Sequence, residues 1–114
     1  MTLNSPIPDD PLRFIKACVE GRKILWTYHV NLRMKGRFIQ RRFVVDSTNS
    51  YEIIEAYPDD KYMPSYLVYS RYQDNIFHVL FAVDLKGDNV RIVTAYRPAL
   101  DEWEEDLKTR RMLK

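Results

Sequence analysis

Histidine and arginine recur at four-residue steps in Trp26-Thr27-Tyr28-His29-Val30-Asn31-Leu32-Arg33-Met34-Lys35-Gly36-Arg37. A helix through this stretch places His29, Arg33 and Arg37 on one side, while Val30 and Met34 turn toward a core. Histidine is the side chain whose ordinary pKa suits proton transfer near neutrality, and the planar fork of arginine matches phosphate oxygens. Such a face points to phosphodiester chemistry. RNA cleavage by the ribose 2′-hydroxyl needs a base for that hydroxyl, an acid for the leaving 5′-oxygen and cations for the phosphorane. His29, with His78 or Tyr96, supplies base and acid; Arg33 and Arg37 hold the phosphate, and Thr94 orients its nonbridging oxygens. Two histidines and no clustered carboxylates argue against a metal-dependent nuclease, so neither a metal site nor a cofactor is expected.

The charge distribution supports a polyanionic partner. The net charge is only +2, yet between Arg13 and Arg42 nine basic residues face one acid, Glu20. Lys35, Arg41 and Arg42 extend this cationic third and are candidate RNA contacts, although a solvated helix surface has the same composition. Eight tyrosines, among them Tyr66, Tyr69, Tyr72 and Tyr96 on expected strands, offer planes for unstacked bases. Five acids from Asp46 to Asp60 and five more from Asp101 to Asp106 balance the total.

Length limits what can hold these residues. The 114 residues, 46% apolar and 30% charged, fit one ordinary globular domain. Residues 1–8 read as a flexible leader and 9–114 as that domain. The apolar runs are too short to cross a bilayer, so no membrane partner is expected. The N-terminus lacks a basic n-region and an apolar h-region, which predicts a cytoplasmic protein. Cys18, the single cysteine, excludes an internal disulfide and reads as a small buried residue.

The elements come as helices, then strands, then a helix. Asp10-Pro11 starts the first helix, with Leu12, Ile15, Cys18 and Val19 as its apolar stripe and Gly21 as its stop. The second runs from an N-cap at Thr27 to Gly36. Gln40 to Ser47 suits a short strand or a helix, and is read here as a helix. From Tyr51 the period is two: strands are expected at Glu52–Tyr57, Tyr66–Tyr72, Ile76–Leu85 and Val90–Arg97, joined by short turns that imply antiparallel neighbours. A last helix from about Asp101 would turn Leu100, Trp103 and Leu107 inward. Alternation places Phe77, Val79, Phe81 and Val83 on the more apolar face of the third strand and His78 on the other. On the fourth it groups Val90, Ile92, Thr94 and Tyr96. Which sheet face meets the second helix is not encoded in periodicity. The result is an α+β fold with N-terminal helices on a four-stranded antiparallel sheet and a C-terminal helix.

The ordered set His29-x-x-x-Arg33-Met34-x-x-Arg37, Glu55-x-Tyr57-Pro58, Ser65-Tyr66-Leu67, His78-Val79, Thr94-Ala95-Tyr96-x-Pro98 and Trp103 resembles a small uncharacterised prokaryotic domain family. Members often lie beside a small zinc-finger antitoxin of the MqsA type. The family in turn resembles the RelE, ParE and barnase-like toxin superfamily. That resemblance implies a toxin of a toxin–antitoxin pair, with RNA, a cognate antitoxin and the ribosome as candidate partners. Three functions remain open: a metal-independent endoribonuclease, a nonenzymatic toxin that binds a protein target such as gyrase, and an interaction module for nucleic acid or acidic protein.

Overall fold

Capping signals set the first elements. In the computed structural model, which describes residues 6–112, Asp10 accepts a hydrogen bond from the Arg13 amide and Pro11 opens α1, Pro11–Glu20. Ile15, Cys18 and Val19 are its buried stripe, and Gly21 caps its end. Thr27 likewise accepts from the Val30 amide at 3.1 Å and starts α2, Tyr28–Gly36, which buries Val30 and Met34. A third, short helix, α3, covers Arg41–Val45 where helix and strand were both compatible with the sequence. The expected leader falls partly outside the described residues; within them, Pro8 is buried.

Four strands follow close to their expected bounds: β2 Glu52–Tyr57, β3 Ser65–Tyr72, β4 Asn75–Asp84 and β5 Asn89–Tyr96. They pair as an antiparallel meander. The sheet has five strands rather than four, because β1, Ile24–Leu25, pairs parallel with β5 at Val90 and Arg91. Two residues are too few to leave a periodic signal. Val68, Phe77, Val79, Phe81, Val83, Val90 and Ile92 are fully buried and form one core with the apolar stripes of α1, α2 and α3. The helices therefore cover one sheet face.

The helix expected from about Asp101 does not form among the described residues. Residues 98–112 fold as a strap of turns closed by a bridge between Trp103 and Arg110. Asp106 accepts from the amides of Lys108 and Thr109 and from the Thr109 hydroxyl, so its side chain holds donors that a helix would have needed. Leu100 is exposed while Trp103 is buried, which a common inward stripe does not allow. The strap lies across the sheet face opposite the helices. Trp103 packs edge-on against His78 of β4 at 4.5 Å, Lys108 pairs with Glu52 at 2.8 Å, and Arg110 pairs with Glu55 at 2.9 Å. Among the described residues no helix is long and apolar enough to cross a membrane.

Trp103 is the only large apolar side chain of the strap that is fully buried. Trp103→Ala should therefore cost about 3–5 kcal/mol in denaturant unfolding, the range for removing a buried tryptophan. A loss below about 1 kcal/mol would show that the strap does not belong to the cooperative core.

Candidate anion-binding cleft

The cleft begins with an extra residue in β5. Ile92 pairs with Phe81 and Thr94 with Leu80, which leaves Val93 as a bulge, about half exposed. One inserted residue inverts the alternation beyond it. Ile92 and Ala95 both face the helices, whereas Thr94 and Tyr96 project from the opposite face with His78 and Leu80. The expected grouping of Val90, Ile92, Thr94 and Tyr96 on one face is thus corrected: the bulge separates the last two from the first two.

His78 sits on the face away from the helices, as alternation required, yet the strap buries it completely. Its Nε2 lies 2.7 Å from the Leu107 carbonyl. A carbonyl only accepts, so Nε2 carries the proton, and in the neutral ring Nδ1 accepts from the Tyr96 hydroxyl at 3.1 Å. Burial lowers the pKa of His78, and burial likewise pushes Tyr96 up to about 12. Leu107 holds its place with φ at 58°, a left-handed conformation that L-residues avoid by about 1–2 kcal/mol.

Two arginines close the other side. β1 pairs only with the start of β5, leaving the outer edge of the later residues to side chains. Arg37, the C-cap of α2, donates through Nη1 to the Ala95 carbonyl at 2.7 Å and lies 3.5 Å from the Thr94 hydroxyl. Arg97 donates to the carbonyls of Phe38 at 2.9 Å and Arg37 at 3.3 Å, and to Asn75 at 3.0 Å. These four residues, Thr94, Tyr96, Arg37 and Arg97, line a cavity of about 640 Å³ completed by the strap's Glu102, Trp103 and Arg110. Arg110 grips Glu55 through two bonds of 2.9 and 3.0 Å and covers the Trp103 ring. Its charge is neutralised, and the ion pair holds the Glu55 carboxyl below its ordinary pKa. Arg37 and Arg97, by contrast, bond only to neutral oxygens and form no ion pair among the described residues, and Glu102 is the one carboxylate on the cavity lining.

Of the residues singled out in the sequence, Arg37, Thr94 and Tyr96 meet in this cleft and His78 backs it. His29 does not join them: it is exposed on the first turn of α2, eight residues and about 12 Å of helix rise from Arg37, with its ring against Tyr28. Arg33 and Lys35 are exposed on the same helix. Glu55 is paired with Arg110. Arg41 and Arg42 lie beyond the other end of α2, bonded to Asn31 and Tyr72. Arg97, Arg110 and Glu102 were missed. Arg97 stands inside the Thr94-Ala95-Tyr96-x-Pro98 motif as its unspecified residue, and the helical reading of the strap hid the other two. Among the described residues no group of three or more His, Cys, Asp or Glu is placed to hold a metal ion.

Residues 26–97 match the family described as "Domain of unknown function (DUF4258)", and the chain belongs to that family. The matched segment runs from just before α2 to Arg97, so it contains the cleft's helical and sheet walls and leaves out the strap. Neither a curated protein nor a solved structure matches the chain.

The buried imidazole makes stability depend on pH. In the unfolded chain it protonates near its ordinary 6.5, whereas in the folded protein burial holds it neutral to lower pH. As pH falls through that value the unfolded state takes a proton that the native state does not, and stability drops, by at most about 1.4 kcal/mol per pH unit. Glu55 adds its own loss only below its ordinary 4.5. Urea unfolding between about pH 7.5 and pH 5 should show the decline in the wild type and in His29→Ala. A flat profile would mean that His78 charges as easily folded as unfolded.

Proposed function

We propose that the protein is a toxin-type endoribonuclease that holds an RNA phosphate between Arg37 and Arg97 and cuts the strand by attack of the 2′-hydroxyl. The observation that carries this proposal is the arrangement of one cleft: two guanidiniums without carboxylate partners beside a tyrosine whose proton is committed to a buried histidine. Because Tyr96 donates to His78, its oxygen offers lone pairs to the cavity, and a ribose 2′-hydroxyl is the group that fits as donor. In the reaction the 2′-oxygen bonds to phosphorus as the bond to the 5′-oxygen breaks. The 2′-proton passes to Tyr96, the phenolic proton passes to Nδ1 of His78, and the leaving oxygen takes a proton from water. The imidazolium keeps its bond to the Leu107 carbonyl, which favours the charged ring against its burial. Arg37 and Arg97 bind the nonbridging oxygens as charge builds there. His29, the base that its spacing suggested, is left out of this scheme.

Tyr28 and Leu32, one turn apart on α2, are 76% and 55% exposed. This apolar pair supports a protein partner, which in a toxin is the cognate antitoxin. The same pair favours the second reading, a nonenzymatic toxin docking on a target such as gyrase, for which the cleft is not needed.

Incubating labelled RNA with pure protein in excess chelator, with and without ribosomes, tests the assignment. Cutting should leave 2′,3′-cyclic phosphate ends and spare DNA of the same sequence, which lacks the nucleophile. Tyr96→Phe and Arg37→Ala should each slow it about a hundredfold or more, as loss of proton transfer or of charge stabilisation does, while His29→Ala cuts near the wild-type rate. No cutting in any arm would remove the catalytic account and leave the protein-binding toxin.

A further inference from the structure

A second basic hollow lies at the opposite end of α2, where Trp26 enters the helix and α3 begins. It encloses about 360 Å³, at the small end of the range for ligand cavities. Arg22, Arg41 and Arg42 line it against one carboxylate, Asp46. Two of the three guanidiniums are already fixed by neutral groups. Arg41 lies 4.9 Å over the Trp26 ring and donates to Asn31 at 2.9 Å; Arg42 donates to the Tyr72 hydroxyl at 3.0 Å. Neither bond cancels charge, so both cations are held in place for an anion at little entropic cost.

Arg22 points the same way by an independent route. It sits in the turn that closes α1, where its amide bonds to the Val19 carbonyl at 3.1 Å and the Lys23 amide to Cys18 at 2.7 Å. That turn gives Arg22 a φ of 62°, a conformation that glycine takes freely and other residues resist. Its side chain has no hydrogen bond or ion pair among the described residues. The side chain of Arg22 takes no part in the bonds that form the turn, and it lines the hollow beside it.

We infer that this hollow is a second nucleotide subsite: Arg22, Arg41 and Arg42 take one phosphate of an RNA strand, and Asp46 accepts a hydrogen bond from a ribose hydroxyl. The inference rests on the proposal that the protein binds RNA, and it adds where the strand leaves the Arg37–Arg97 cleft. α2, nine residues long, spans about 13 Å between its Trp26 end, which lines the hollow, and Arg37, which lines the cleft, so a dinucleotide whose phosphate fills the cleft does not reach that far end.

Arg22→Gly isolates the claim, because glycine relieves the backbone and removes only the cation. Its melting temperature should equal or exceed that of the wild type. Its affinity for a labelled octaribonucleotide, read by fluorescence anisotropy, should fall about tenfold, the order of one charge-assisted hydrogen bond, and the slope of log affinity against log salt should flatten by about one. Arg41→Ala should do the same. A dinucleotide should bind wild type and Arg22→Gly equally, and adenosine monophosphate, the free-ligand arm, should compete only weakly with the octamer. Octamer binding by Arg22→Gly with wild-type affinity and slope would overturn the subsite. Octamer binding lost in Arg22→Gly without any RNA cutting by the wild type would keep the subsite and reject only the nuclease.

Discussion

A fully buried imidazole must satisfy both of its nitrogens, and that requirement organises the functional half of the molecule. An unpaired ring nitrogen in the interior costs roughly 1–3 kcal/mol, so His78 can be buried only if something covers it and supplies an acceptor and a donor. The strap does the covering and gives the acceptor, the Leu107 carbonyl; β5 gives the donor, Tyr96. The donor reaches Nδ1 only because the bulge at Val93 turns Tyr96 to the same face. The tautomer of the histidine, the direction of the tyrosine's proton and the path of residues 98–112 are therefore one decision.

The arginines around this centre have the same chemistry and opposite electrostatic roles. Arg110 is bidentate with a carboxylate and stacked on Trp103, an arrangement that ties the strap to β2 and leaves little field in the cavity. Arg37 and Arg97 spend their donors on backbone carbonyls and an amide, which fixes their geometry and keeps their charge available. Partner type, and not proximity to the cavity, separates structural cations from binding ones. Arg37 also shields the part of β5 that β1 leaves unpaired, so one side chain both blunts an open strand edge and faces the cleft.

Much of this architecture was legible in the residues. The caps at Asp10 and Thr27, the stop at Gly21 and the four meander strands follow from local signals, because each is set by neighbours within a few positions. Placing His78 on the less apolar face of β4 followed from alternation alone. What escaped notice was set by tertiary contacts. The bulge at Val93 has no signature in a run of β-formers, yet it decides which face Thr94 and Tyr96 share. The strap was read as a helix that turns Leu100, Trp103 and Leu107 inward, while the side chain of Asp106 and the burial of Trp103 hold it in turns. His29 drew attention by spacing that is real on the helix surface, but it sits on the first turn of α2 while the cleft gathers at the C-cap residue Arg37.

The walls of the cleft are brought together by contacts distant in the chain. Arg37 meets Thr94 and Ala95 across 57 and 58 positions, Arg97 meets Phe38 across 59, and Arg110 meets Glu55 across 55. The meander beside it is built from neighbouring strands. Closing such long loops is the slow, entropically costly part of folding, so hairpins form first and the cavity exists only once the last long-range pieces dock. A partly folded chain with a nearly complete sheet would thus present strand signal without a cavity, and the cavity reports on the docking of α2 and the strap against that sheet.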